Sequence, residues 1–218
     1  MKEKLSIRYP PPRAVDAARY VSLFFSKLLW RIEYHQKENI PRDFESGLIV
    51  VANHQTYFDP FWICAPMRRK YRFMAWDKAF DWFLIGPLIR YLGAFPVDTK
   101  NSSGTKRVWR EALAALGDGA TIVIFPEAAR SFPDGKIVNF RNGAARLALE
   151  AGVPVLPVTV RGGHKIWSQG MKRPRLGKVE IFYHPLVEVK KPASKEELRE
   201  RLDRLNERLI EIIGSKLE

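Results

Sequence analysis

Cysteine is nearly absent from this sequence: Cys64 is the only one in 218 residues. A single thiol excludes an internal disulfide framework and a cysteine-based metal cluster, and it suits a reducing compartment. Acidic residues are scarce beside basic ones, 24 against 37, which leaves a net charge of +13. Long apolar runs are also missing. No window reaches the ~18 uncharged apolar residues that a spanning helix needs. The longest such stretch, 83–97, is broken by Gly86, Pro87 and Arg90. Met1 to Arg8 are charged and lead into Pro10, Pro11 and Pro12, so no targeting segment is expected. Familiar nucleophile and phosphate motifs are absent as well. There is no G-x-S-x-G, so a hydrolase elbow is unsupported. Asp134-Gly135-Lys136-Ile137 lacks the first glycine and the hydroxyl of a nucleotide-binding P-loop, and no G-x-G-x-x-G follows a strand. The four histidines, His35, His54, His164 and His184, lack metal-ligand spacing, so no metal is expected.

What is present describes a folded protein. The chain is 46% hydrophobic and 28% charged, and a single domain of this length buries roughly 70% of its unfolded surface. The excess positive charge, with six Trp, thirteen Phe and seven Tyr, points to a polyanionic partner, either nucleic acid or an anionic membrane. The C-terminal tail from Lys190 carries eight basic and seven acidic residues, so only one of the thirteen excess charges lies there. That tail reads as a helix from about residue 194. Ser194 and Glu197 form a capping box, and Leu198, Leu202, Leu205, Leu209 and Ile212 make a stripe suited to packing on the domain's own core.

The N-terminal segment, taken as residues 1–44, has a different character. From Arg13 to Glu33, Val21, Phe24, Phe25, Leu28, Leu29 and Ile32 form an apolar stripe beside Arg13, Arg19, Lys27 and Arg31. Alone, this fits a helix docked on the domain as well as an interfacial membrane helix. A second apolar segment from Phe80 to Tyr91, ringed by Arg72, Lys78 and Arg90, shifts the balance toward contact with a membrane surface.

The centre, residues 45–218 with the tail, alternates strands and helices. Leu48–Ala52 is a continuous apolar run, the pattern of a buried strand. A polar loop containing His54 follows, and then a helix from Phe61, with Asp59 placed to cap it and Pro60 at its first position. A helix over 106–116 leads to a strand over 121–125. A second helix, 142–151, ends at Gly152 and leads to a strand over 153–160, with a further strand over 179–183. The expected fold is therefore α/β: one domain with a mixed, largely parallel sheet flanked by helices, plus the N-terminal amphipathic helix. Polar motifs after apolar strands fall at strand C-termini, where open sheets bind ligands.

His54 and Asp59 could form a base and its partner. A neutral imidazole, with pKa near ~6.5, accepts a proton when a carboxylate orients its other nitrogen. Five residues on a straight helix lie ~140° apart, so the pair can meet only if a turn precedes the helix. At this spacing a lone His and Asp are more often structural. Their context argues otherwise. Asn53-His54-Gln55-Thr56-Tyr57-Phe58-Asp59-Pro60 resembles the N-H-x-S-x-x-D block of the glycerolipid acyltransferases, the 1-acylglycerol-3-phosphate acyltransferase family. Three further blocks follow in that family's order. Residues Gly93 to Asp98 resemble the second block, Phe125-Pro126-Glu127-Ala128-Ala129-Arg130-Ser131 resembles F-P-E-G-T-R-S, and Val153 to Val158 resemble the fourth. Phe140 and Gly143 fit an F-x-x-G between the last two. The resemblance covers about residues 45–190.

This resemblance implies a direct acyl transfer with no covalent enzyme intermediate and no cofactor. His54 would be the general base on a glycerol hydroxyl, which attacks a thioester of CoA or acyl carrier protein, and Asp59 would orient it. Glu127, Arg130 and Ser131 would hold the acceptor, with Lys78 standing loosely where the family has a phosphate-gripping lysine. The sequence departs from the family pattern in several places. Thr56 replaces serine and keeps the hydroxyl, Ala128-Ala129 replace Gly-Thr, and Thr99 with Lys100 stands where an arginine is usual. Two phosphate-binding cations are thus displaced, which leaves another lysophospholipid or lipid hydroxyl open beside lysophosphatidate. The expected protein is a peripheral acyltransferase of phospholipid synthesis on the cytoplasmic face of an anionic membrane. The rivals are a basic nucleic-acid-binding module and a catalytically silent lipid-binding relative. The first is disfavoured because the aromatics sit in apolar runs and do not interleave with cations.

Overall fold

A computed structural model of the chain describes residues 9–42, 46–83, 85–97, 102–127, 134–168 and 170–217. Among the described residues seven strands form one sheet: β1 (Trp30–His35), β2 (Leu48–Ala52), β3 (Tyr71–Trp76), β4 (Phe95–Val97), β5 (Thr121–Ile124), β6 (Val155–Arg161) and β7 (Gly177–Tyr183). Their spatial order is β1-β7-β6-β2-β5-β3-β4, and only the β6–β7 pair is antiparallel. The helices are α1 (Pro12–Leu29), α2 (Asp59–Cys64), α3 (Ile85–Tyr91), α4 (Ser102–Gly117), α5 (Gly143–Ala151), α6 (His164–Trp167) and α7 (Lys195–Gly214). This is the α/β architecture that the alternating pattern predicts.

The uninterrupted apolar character of β2 has a direct cause. The strand lies near the middle of the sheet, and all five of its residues are buried. Ile49 and Val51 face a core shared with α4, α5 and α7, while Leu48, Val50 and Ala52 face a second core on the side of α2 and α6. A strand covered on both faces favours an apolar side chain at every position. The stripe on α7 packs on the first core, with Leu205, Leu209 and Ile213 buried and Leu198, Leu202 and Ile212 partly so. The Ser194 hydroxyl accepts the Glu197 N–H, and the Glu197 carboxylate accepts the Ala193 N–H, one residue earlier than an ideal capping box. The end of α7 is tied down by Thr159, whose hydroxyl donates to the Ile213 carbonyl at 2.6 Å. His184 Nε2, 2.8 Å from that hydroxyl, must then be its N–H donor. Burial and the nearby Lys216 hold this imidazole below its usual pKa.

Two features differ from the sequence pattern. The apolar stripe predicts a helix as far as Glu33, yet α1 ends at Leu29. Trp30 is extended there, and Trp30 to His35 pair in register with Gly177 to Phe182. The apolar positions of this stretch fit either a helix face or a strand, and the free edge of β7 decides between them. The second feature is that α1 buries only Ser26 completely. Phe24 and Leu28 are 63% and 66% exposed, and Tyr20, Val21 and Phe25 are exposed too. The segment from Phe80 divides into a 3-10 turn (Asp77–Asp81) and α3, and it leaves Phe83 91% exposed. Among the described residues no helix is long and apolar enough to cross a membrane.

Candidate active site

β2, β5 and β6 run parallel, so their C-terminal ends meet along one edge of the sheet. The loop that leaves β2 is fixed there first by Asn53. Its side-chain amide donates to the Val160 carbonyl at 2.8 Å and its side-chain oxygen accepts the Val160 N–H at 2.7 Å. This fully buried side chain extends the pairing of β2 with β6 beyond the last backbone rung. His54 comes next, with its side chain 21% exposed.

Asp59 is the first residue of α2 and is fully buried. It does not cap that helix as the sequence suggests, because Phe58 holds the N-cap position. Its carboxylate turns back to the loop instead. Oδ2 accepts the Gln55 N–H at 2.6 Å and the Thr56 N–H at 2.8 Å, and it lies 2.8 Å from His54 Nδ1. Oδ1 accepts the Thr56 hydroxyl at 3.0 Å, and that hydroxyl accepts the Phe58 N–H at 2.8 Å. The hydroxyl at position 56 is therefore both donor and acceptor, which threonine and serine supply equally. This closed turn brings together two side chains that a straight helix would separate. An ionised carboxylate can only accept, so His54 Nδ1 carries the proton and Nε2 keeps its lone pair. Among the described residues Nε2 has no hydrogen-bond partner.

The end of β5 braces His54 from the other side. The Phe125 ring stacks on the imidazole, with centroids 4.2 Å apart and an interplanar angle of 26°. Glu127, also buried, accepts the His54 N–H at 2.9 Å through Oε1 and the Val138 N–H at 3.3 Å through Oε2. Gln55 adds a further tie, donating to the Gly135 carbonyl at 3.0 Å and accepting the His164 N–H at 3.2 Å. An aromatic track, Trp82–Tyr57–Trp167–Phe58–Trp30, passes through the His54–Asp59 turn at Tyr57 and Phe58 and reaches the first residue of β1.

Of the residues singled out from sequence, the structure brings His54, Asp59 and Glu127 together. Lys78 is exposed in the turn that follows β3, at the same edge of the sheet. Arg130 and Ser131 lie outside the described residues, as do Ala128, Ala129, Thr99 and Lys100. Sequence reasoning missed Asn53, Gln55 and Phe125 as supports of the site. All three stand inside or beside the recognised blocks, which is the one signal that could have marked them. Cys64 is fully buried, and burial pushes its thiol up to about 12, so it offers no thiolate nucleophile at neutral pH. Among the described residues, the three groups that come nearest to a ligand set, Glu33, His35 and Glu180, stand apart on β1 and β7. They are engaged by Lys178, 2.8 Å from Glu33, and by Arg161, 2.8 Å from Glu180.

A family model described as Acyltransferase matches residues 31–161. A 1-acyl-sn-glycerol-3-phosphate acyltransferase of Streptococcus pneumoniae is 34% identical over 140 residues, which is 62% of this chain and 50% of that protein. One from Bacillus subtilis is 26% identical over 185 residues, covering 83% of this chain and 87% of the other. The crystal structure of the 1-acyl-sn-glycerophosphate acyltransferase PlsC from Thermotoga maritima superposes with a TM-score of 0.73 at 30% identity, over 94% of this chain and 81% of that one. The match takes in well under two thirds of some curated relatives, 38% of the length of one from Brassica napus.

Proposed function

The chain belongs to the Acyltransferase family, and we infer from this that it moves an acyl group from a thioester carrier to the free hydroxyl of 1-acylglycerol 3-phosphate. The observation that carries the reading is the His54–Asp59 contact at 2.8 Å, built at the C-terminal edge of the sheet with Nε2 left to act. In the proposed step, Nε2 takes the hydroxyl proton as the alcohol oxygen bonds to the thioester carbonyl carbon. The carbon–sulfur bond then breaks, and the leaving thiolate recovers the proton from His54. Asp59, 2.8 Å from Nδ1, pairs with the transient imidazolium. The carrier is CoA or acyl carrier protein, both of which present the same thioester. Arg130, Ser131 and Lys78 are proposed to meet the acceptor's phosphate. A guanidinium suits that task because it offers paired donors to an oxyanion. A different lysophospholipid is the alternative acceptor, motivated by Ala128-Ala129 and Thr99. The test is release of free thiol from acyl-CoA or acyl carrier protein by the purified chain. Release is expected only when a lyso-lipid is supplied; release that ignores the lyso-lipid would contradict transfer to it.

We further propose that the protein works at the surface of an anionic membrane, on its cytoplasmic face. Supporting this are the uncovered apolar side chains of α1, the exposed Phe83 and Trp82, and the +13 charge. Burying an exposed large apolar side chain contributes ~1.5–3 kcal/mol, and each surface cation near anionic lipid adds ~1 kcal/mol. The chain should sediment with phosphatidylglycerol vesicles, and less so as salt rises. Phe24→Ser together with Leu28→Ser should weaken that partition at least about tenfold, given those apolar contributions. Retention on oligonucleotides in place of vesicles would favour the nucleic-acid reading.

A further inference from the structure

We propose that Glu127 is a positioning residue that sets the catalytic histidine through its backbone, and not a grip for the acceptor. The inference rests on the acyl-transfer reading above. The resemblance to the family would place this carboxylate on the acceptor. Its contacts give it another task. One oxygen accepts the N–H of His54 itself at 2.9 Å, and the other accepts the N–H of Val138 at 3.3 Å. Glu127 as a whole is 5% exposed, which leaves little surface for a substrate hydroxyl.

The location suits a brace. Glu127 follows β5, which pairs with β2 from Leu48↔Thr121 to Val51↔Ile124, so its backbone is anchored to the strand that delivers His54. Two residues earlier, Phe125 fixes the plane of the imidazole. One segment thus holds both the ring and the main chain of the base. The Arg141 N–H donates to the Pro126 carbonyl at 2.9 Å, so the loop carrying Val138 is tied to the same segment. A hydrogen bond to an ionised acceptor is about twice as strong as a neutral one, so a carboxylate does this work better than an amide. Displacement of a reacting group by as little as ~1 Å can cost ~100-fold in rate.

The experiment uses the full chain with lysophosphatidate and an acyl thioester, and compares Glu127→Gln and Glu127→Asp with wild type. Glutamine keeps the size but turns an NH2 toward one of the two donors. Aspartate keeps the charge but is one methylene too short to span both. Each is expected to lower kcat by about 10- to 100-fold, with KM for lysophosphatidate within about twofold of wild type. The His54 backbone N–H resonance in 1H–15N spectra should move upfield in both. A tenfold or greater rise in KM, with or without a fall in kcat, overturns the proposal in favour of acceptor binding. Unchanged kinetics or an unmoved His54 amide overturns it as well. If either variant fails to fold, the other decides. If wild type itself transfers no acyl group, the acyl-transfer reading is what fails, and the His54 amide shift alone then judges the contact.

Discussion

Asp59→Asn is expected to lower the proposed acyl transfer by about 10²–10⁴-fold while the chain remains folded, because it removes a charge and spares most of the geometry. Asparagine is nearly the same size, and its carbonyl oxygen can take the place of Oδ2 among three donors, His54 Nδ1 and the N–H groups of Gln55 and Thr56. Its NH2 then faces the Thr56 hydroxyl. That hydroxyl already accepts from Phe58, so it must reorient to accept a second bond. In the proposed step, the imidazolium formed as His54 takes a proton would no longer have a partner of opposite charge at 2.8 Å. Stability should fall too. Bonds to charged groups contribute ~1.5–3 kcal/mol against ~1 for neutral ones, so a loss of ~1–3 kcal/mol is expected. Asp59→Ala is the contrasting case: it strands two buried backbone donors at ~1–3 kcal/mol each. Thermal melts alongside kinetics separate these effects. An Asp59→Asn protein that keeps its melting temperature and also keeps wild-type turnover would remove Asp59 from the chemistry.

The parts of this molecule that were legible in the sequence are those where one physical demand fixes the pattern. Leu48–Ala52 reads as a central strand because burial on both faces favours a continuous apolar run. Gly152 reads as a helix end, and it does sit in the left-handed region at φ +67°. The strands away from the centre of the sheet were less visible. Trp30 to His35 continues the apolar spacing of α1, and β3 carries Arg72, a buried cation whose Nε donates to the Gly93 carbonyl at 3.0 Å. Such a residue is satisfied by tertiary partners that no local pattern announces. The pairing of His54 with Asp59 was legible in the sequence, and its bracing was not. His54 and Asp59 stand five apart, but the turn that joins them depends on the Thr56 hydroxyl and on two backbone donors. Asp59 has the composition of a helix cap, yet its carboxylate serves the loop before the helix. The contacts of Phe125 and Glu127 with His54 span about seventy residues and arise only from the pairing of β2 with β5.

His54→Ala has the most direct consequence of any substitution here. It deletes the one side chain whose Nε2 is proposed to take the hydroxyl proton, and positioned general bases are worth ~10²–10⁴ in rate. The fold should tolerate the change. The imidazole is partly exposed, and the remaining donors to Asp59, two backbone N–H groups and the Thr56 hydroxyl, stay in place. Loss of one bond to that buried carboxylate should cost ~1.5–3 kcal/mol of stability, too little to abolish folding of an ordinary domain. The measurement that bears most directly on the account is the conversion of lysophosphatidate and an acyl thioester to phosphatidate. It is followed by mass spectrometry, for wild type and His54→Ala at matched concentrations of folded protein. Rapid product formation by wild type and a fall of at least about 100-fold in the variant is the result predicted. Equal rates from the two proteins would contradict it.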